Sequence, residues 1–259
     1  MKYKKVLGID IGGSGVKGAI VNTKKGKLKT ERFRIPTPKP ATPDAVGEVI
    51  KQIVQHFKWE GPIGVGYPGV VQNGFARTAA NVDDSWLDQN INKKFSKITG
   101  CPVHVVNDAD AAGTGEMKFG AGRKNKGVVM LITVGTGLGT VMFSGGMLVP
   151  NLELGHVILR GDDAEKYASD AARKNEDLSW EEWAHRFNEY LERLEDLTWP
   201  DLIIIGGGAS KKDDKFFQYL KSRAKVVPAE LLNEAGIIGA AVAAKNQHKL
   251  QKAQEKKEK

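Results

Sequence analysis

One residue after Asp10 comes a run of small residues, Gly12, Gly13, Ser14 and Gly15, and Lys17 stands two positions beyond them. Residues without a Cβ let the backbone take positive φ and let successive N–H groups converge, which turns a tight loop into a cradle for a phosphate. The device returns about 123 positions later. Ile9-Asp10-Ile11-Gly12 lines up with Ile132-Thr133-Val134-Gly135, and Thr136 and Gly137 follow as the small residues. A chain that carries the same phosphate loop twice reads as an internal repeat.

Asn107 and Asp108 close a short apolar run, the place where α/β sheets present polar groups to a ligand. Two readings stand side by side for Asp108. It is either the N-cap of the following helix or a carboxylate that takes a proton from a bound hydroxyl. Glu153 and His156 are either a buried structural pair or hydrogen-bonding partners for neighbouring sugar hydroxyls. Zinc is not expected there, because Val157 to Ala164 adds no cysteine or histidine. Asn81, within the polar stretch 79–90, either belongs to a plain surface loop anchored by Trp86 or offers its amide to a polyhydroxyl ligand. Gly206-Gly207-Gly208 is a third place where a backbone can approach a ligand, or else a tight strand-to-helix turn.

These residues need a scaffold of alternating strands and helices. Val6 to Val21 reads as one hairpin and Met130 to Phe143 as another, with a further strand over Leu28 to Ile35. Pro36 to Pro43 is too proline-rich for regular structure, and Asp44 is the expected N-cap of a helix carrying Val46, Val49, Ile50, Ile53, Val54 and Phe57. Ile63 to Val65, Pro102 to Val106 and Leu202 to Ile205 read as buried strands, and a helix starts at Ala109. Ser179 and Glu182 form a capping box for a helix to Leu197, whose stripe of Trp183, Phe187, Tyr190, Leu191, Leu194 and Leu197 fits a core or a dimer surface. Ala235 to Ala244 is a helix of small residues. The pattern predicts mixed α/β sheets in two domains: 1–108, a smaller domain joined by the C-terminal helix 235–250, and 109–234, a larger one, with 251–259 a frayed basic tail.

With 41% hydrophobic and 27% charged residues over 259 positions, the composition is that of a globular protein. No apolar run approaches the roughly 18 residues of a membrane helix, and no signal-peptide pattern opens the chain, so a cytoplasmic location and no membrane partner are expected. Cys101 alone permits no internal disulfide and reads as a core-edge residue. The net charge of +8 invites a nucleic-acid reading. Six lysines and two glutamates between Lys245 and Lys259 account for half of it, and no stacking-aromatic pattern accompanies the rest, so no nucleic-acid partner is expected. Clusters at Arg123, Lys124 and Lys126 and at Lys211 and Lys212 suit a polyanionic substrate.

Taken together, DIGGSGVKG, VGYPGVV, NDADAAGTGE, TVGTGLGT, ELGH and IIIGGG resemble the ROK family of bacterial sugar kinases within the actin-like ATPase superfamily, over Lys5 to Ala244. NVDDSWLDQNI, LSWEEWA, WPDLIIIGGGASKK and VPAELLNEAGIIGAA are similar to its polyphosphate glucokinase branch. The resemblance implies a two-domain actin-like (ribonuclease H-like) fold with a mixed sheet in each domain and a cleft between them. It implies transfer of a phosphoryl group from polyphosphate, or ATP, to the 6-hydroxyl of glucose, with mannose as a further acceptor, and a homodimer. Asp10, Gly12, Gly13, Ser14, Gly15 and Lys17 match the first phosphate motif, with Asp10 near Mg²⁺ and touching it indirectly. Thr133, Gly135, Thr136 and Gly137 match the second. Asp108 matches the general base and Asn107 its sugar-binding neighbour, while Gly69, Asn81, Glu153, His156 and Glu165 fall in the sugar-holding segments. Gly206, Gly207, Gly208, Lys211 and Lys212 lie on the expected nucleotide or polyphosphate path. One departure stands out. The family's cysteine-rich zinc motif is missing between His156 and Glu165, which leaves His156 to the sugar alone. The rival readings are a strictly ATP-dependent hexose kinase and a non-enzymatic sugar sensor like the ROK repressors; their N-terminal DNA-binding domain has no room before the first strand.

Overall fold

The computed structural model describes residues 4–79 and 82–255. Contacts between Cα atoms divide the chain into two units, Met1–Gly115 with Glu234–Lys259, and Glu116–Asn233. The division falls inside a helix, a turn or two later than the expected boundary at residue 108, and the first unit is the larger of the two.

The first unit is built on a mixed sheet. Strand β1 (Lys5–Gly12) and β2 (Gly15–Asn22) form an antiparallel hairpin, extended at its outer edge by β3 (Lys27–Leu28) and β4 (Phe33–Ile35). The expected single strand over 28–35 is thus two short ones with a turn between them. Helix α1 (Pro43–His56) follows. Thr42, not Asp44, is its N-cap, the Ala45 N–H donating to Thr42 Oγ1 over 3.3 Å. Pro43 takes the first helical position, where a missing N–H costs nothing, and Asp44 pairs instead with Lys94 Nζ at 2.7 Å. Next come β5 (Ile63–Tyr67), the small ribbon of β6 (Val71–Gln72) and β7 (Phe75–Ala76), α2 (Ile91–Thr99), β8 (Val103–Asn107) and α3 (Asp108–Phe119). β5 lies parallel to β1, and β8 parallel to β5.

Alternation along β1 assigns its two faces. Leu7, Ile9 and Ile11 enter a core with Val46, Ile50 and Ile53 of α1 and Phe95 of α2. The opposite positions are Gly8 and Asp10. A Cβ on Gly8 would stand 2.1 Å from the carbonyl oxygen of Ile237, and one on Gly64 would stand 1.9 Å from that of Ala240. Only glycine lets the C-terminal helix press its backbone onto the sheet there. Trp86 is wholly buried and donates its indole N–H to the Ala41 carbonyl over 2.6 Å, anchoring the polar loop as expected. Cys101 is buried at the core edge.

The second unit repeats the plan. β9 (Val128–Val134) and β10 (Leu138–Ser144) form a hairpin with β11 (Met147–Val149) at its edge, and β12 (Ile158–Leu159) with β13 (Asp162–Asp163) is a separate ribbon. Helices α4 (Ala164–Ala168), α5 (Asp170–Asn175) and α6 (Trp180–Thr198) precede β14 (Leu202–Gly207), α7 (Asp213–Phe216) and β15 (Lys225–Pro228). The sheet order β11-β10-β9-β14-β15 matches β3-β2-β1-β5-β8 of the first unit, each having an antiparallel hairpin and two parallel strands. The capping box of α6 forms, and Trp183, Phe187, Tyr190, Leu191 and Leu194 are fully buried against β9 and β14. That stripe is core. Leu197 falls outside it and is half exposed, because the helix ends one residue later at Thr198, capped by Trp199 with φ +46°.

Helix α8 (Ala235–Glu255) closes the first unit. It runs past residue 250, through Gln, Lys, Ala and Glu, all strong helix formers.

One buried acid was not foreseen. Glu116 has no solvent exposure, and its carboxylate accepts N–H groups from Ala121 at 2.8 Å, Glu230 at 3.2 Å and Leu231 at 2.7 Å. It ties the end of α3 to the loop after β15. Glu116→Ala leaves three part-buried N–H groups without the buried carboxylate that accepts them and is expected to cost about 3 kcal/mol in chemical denaturation. A loss under about 0.5 kcal/mol would show that water replaces the clamp.

Candidate active site

The first glycine hairpin places its charged residues by strand register. Asp10 stands opposite Lys17 and Gly12 opposite Gly15, so Asp10 and Lys17 share one face of the sheet. Lys17 Nζ lies 3.9 Å from Asp10 Oδ2, and about a quarter of the Asp10 side chain is exposed. Burial raises the Asp10 pKa, and the Lys17 charge opposes that rise. The start of α8 adds a second favourable field, since a Cβ on Gly236 would lie 3.4 Å from Asp10 Oδ1 and a helix N-terminus carries partial positive charge. A hollow of about 320 Å³ adjoins the turn, lined by Ile11, Gly12, Gly13, Thr37, Lys39 and Asp83 among others.

The N-cap role left open for Asp108 belongs to its neighbour. The Asp110 N–H donates to Asn107 Oδ1 over 3.0 Å, so Asn107 is the N-cap of α3. Its amide also donates to the Gly69 carbonyl over 3.1 Å, tying the end of β8 to the loop after β5. Asp108 is the first helical residue, and its Oδ1 accepts the Ala109 N–H at 2.8 Å, which orients the carboxylate. Parallel pairing of β1, β5 and β8 brings Asp108 beside Asp10. A Cβ on Gly66 would lie 3.6 Å from Asp108 Cα and 3.7 Å from Asp10 Oδ1, so one glycine separates the two acids. Gly69 is required sterically, its Cβ position being 2.8 Å from Thr78 Oγ1 and 2.9 Å from the Tyr67 ring. Asn81 lies outside the described residues.

In the second unit, the hairpin turn is Gly135, Thr136 and Gly137. The Gly135 N–H donates to the Gly137 carbonyl at 3.0 Å, and Thr133 lies opposite Gly139 on the strands below. Glu165, at the start of α4, reaches this turn. Its Oε2 accepts the Leu138 N–H at 3.3 Å and stands 2.3 Å from where a Gly137 Cβ would be, so glycine at 137 makes room for the carboxylate. Glu153 and His156 form an exposed pair, not a buried one, with His156 Nε2 3.9 Å from Glu153 Oε2. Its Nδ1 lies 3.2 Å from Asp163 Oδ2, a partner that spacing alone did not single out. Burial raises the Glu153 pKa; His156 counters the rise and Glu165 adds to it.

The third glycine run is partly architectural. Gly207 has φ +79°, and a Cβ there would sit 2.5 Å from the backbone N and O of Val134, so β14 needs glycine to pass β9. Gly206 and Gly208 have room, and Lys211 and Lys212 are exposed on the short turn that follows.

Arranged this way, each unit offers a glycine turn suited to phosphate beside acidic groups suited to hydroxyls. A model of the ROK family matches residues 6–169. Over 238 residues the chain is 47% identical to a polyphosphate glucokinase of Mycobacterium tuberculosis (strain ATCC 25618 / H37Rv), spanning 92% of this chain and 90% of that protein. Inorganic polyphosphate/ATP-glucomannokinase from Arthrobacter sp. strain KM is similar in structure, with a TM-score of 0.90 at 47% identity over 94% of this chain and 99% of that one. A ROK family glucokinase from Streptomyces griseus, solved with glucose and AMPPNP, gives 0.77 at 26% identity over 93% and 99%. A family match over more than half of the chain, with 47% identity along nearly all of it, means that the chain belongs to the ROK family.

Proposed function

We propose that this protein is a polyphosphate-dependent glucokinase, which transfers the terminal phosphoryl group of polyphosphate to the 6-hydroxyl of glucose to give glucose 6-phosphate and a chain one phosphate shorter. ATP serves as a second donor and mannose as a second acceptor. The identity to a polyphosphate glucokinase along 92% of the chain carries this reading. The repeated sheet order supports an actin-like fold of two related halves, and the family resemblance supports a homodimer.

Asp108 is the general base: its carboxylate accepts the proton of the 6-hydroxyl as the oxygen bonds to phosphorus. Asn107, Gly69, Asn81, Glu153, His156 and Glu165 are the sugar-holding residues that the family resemblance supports. Vicinal sugar hydroxyls that donate to the carboxylates and pair with the imidazole fix the ring, so that the 6-hydroxyl meets the donor in line. The two glycine turns receive the donor phosphates with backbone N–H groups and Lys17. The exposed lysines 211 and 212 suit the path of a longer polyanion.

Among the described residues no three acidic, histidine or cysteine groups gather into a metal cage. A single carboxylate, Asp10, backed by Lys17, suits a Mg²⁺ that arrives with the phosphates and keeps its water ligands. When bound, Mg²⁺ neutralises charge on the transferring phosphate.

Initial rates with polyphosphate and ATP at equal phosphate concentration, with glucose and then mannose, test the proposal. The expected order is polyphosphate above ATP and glucose above mannose. A large advantage for ATP would overturn the donor assignment, and no transfer from either donor would overturn the kinase reading.

A further inference from the structure

The tip of the first glycine hairpin is held by a segment that the site as described does not use. Thr37 Oγ1 donates to the carbonyl of Gly12, and Arg34 Nη2 donates to the carbonyl of Ser14, with the Ser14 hydroxyl 3.5 Å from the same nitrogen. Both donors come from one short run, β4 and the two residues after it. Register explains how Arg34 reaches the turn, since β4 pairs with β2 so that Arg34 stands directly opposite Lys17. Its guanidinium lies over Gly15, where a Cβ would be 2.5 Å from Nε and 2.7 Å from Cζ. Glycine at 15 therefore admits an arginine.

Carbonyl oxygens are the negative ends of the peptide dipoles, so those at the tip of a phosphate cradle repel the ligand unless something covers them. A hydroxyl covers one here and a guanidinium the other. Because the peptide unit is planar and trans, fixing the Gly12 carbonyl toward Thr37 turns the Gly13 N–H the opposite way. The space beyond Gly13 is open, with no atom within 4 Å of its Cβ position. Arg34 also adds a second positive charge on the Lys17 face of the hairpin.

We propose that Arg34 and Thr37 are positioning residues for the phosphoryl donor, acting through the Ser14 and Gly12 carbonyls to keep the turn in its phosphate-receiving shape. The inference rests on the reading that this hairpin receives the donor's phosphates. It predicts a loss confined to the donor.

Arg34→Gln is expected to raise the KM for polyphosphate and for ATP about tenfold, as loss of a charge-assisted hydrogen bond does, and Thr37→Val about threefold. The KM for glucose stays within twofold of wild type in both. Thr37→Ser restores the hydroxyl and the wild-type donor KM, and Arg34→Lys recovers part of the loss. Tripolyphosphate titrated calorimetrically without glucose follows the same order of affinities. Gly15→Ala displaces the guanidinium and reproduces the Arg34→Gln defect, with no further loss in the double variant. Thr37→Val and Thr37→Ser carry the test alone if Arg34→Gln does not fold. Donor KM values unchanged in the variants of an active wild type would overturn the inference, as would donor and glucose KM values rising together with a lower Tm. Wild-type protein that neither transfers phosphate nor binds tripolyphosphate would instead remove the donor reading beneath it.

Discussion

Asp108→Asn is expected to lower kcat for glucose phosphorylation by about 10²–10⁴, the range that a positioned general base supplies, while the protein stays folded. The amide is nearly isosteric with the carboxylate, and its oxygen can still accept the Ala109 N–H that the carboxylate accepts at 2.8 Å. The cap of α3 is untouched, because it belongs to Asn107. What the substitution removes is the capacity to take a proton. Asp108→Ala removes the local hydrogen bond as well, so a comparable loss in both variants locates the effect in the chemistry. The KM for glucose should change little in Asp108→Asn, since an amide still hydrogen-bonds a hydroxyl. Circular dichroism and Tm establish the fold, and a coupled glucose 6-phosphate assay reads the rate. A well-folded Asp108→Asn protein turning over at the wild-type rate would reject Asp108 as the base.

The division between Asn107 and Asp108 shows how much of the site was legible in the sequence. An Asn-Asp pair at a strand end announces a helix cap, but residue type does not say which of the two is the cap. Backbone geometry decides, because the first residue with helical dihedrals cannot also be the cap. Thr42 displaced Asp44 for a related reason, proline at 43 fixing where the helix begins. The two hairpins were legible because glycine spacing and apolar alternation are local properties. Their bracing was not. Arg34 and Thr37 lie 20 and 25 residues from the carbonyls they hold, and no local pattern marks such a pairing. Glu116 was hidden in plain view, the last acid of an alanine- and glycine-rich motif, with two of its three partners more than a hundred residues away. Glycines misled in a different way. Gly8 and Gly64 looked like ordinary strand residues, yet they admit a helix backbone, and Gly207, in a run read either as a ligand approach or as a tight turn, lets β14 pass β9.

Asp10→Asn should separate function from stability. Asp10 is mostly buried, and its raised pKa records that cost: the native protein holds the proton more tightly than the unfolded chain, whose aspartate titrates near 3.8. The sign follows. Below that value both states are protonated and no penalty exists; as pH climbs above it the unfolded aspartate ionises first, and the penalty grows until pH passes the raised native value. Lys17 at 3.9 Å and the start of α8 offset only part of it. A neutral isostere escapes the penalty, so the ligand-free Asp10→Asn protein should melt about 2–4 °C above wild type at pH 7, the shift that about 1 kcal/mol produces at this size. The gap should close as pH falls toward 4. Activity should move the other way, dropping at least about a hundredfold with either donor, if the carboxylate has the place proposed for it beside the donor phosphates. A stabilised but inactive protein fits a group kept for its charge at a cost in stability, as functional sites often are. Equal or lower Tm at pH 7 would show that the Lys17 pair outweighs burial, and full activity would take Asp10 out of the phosphate site.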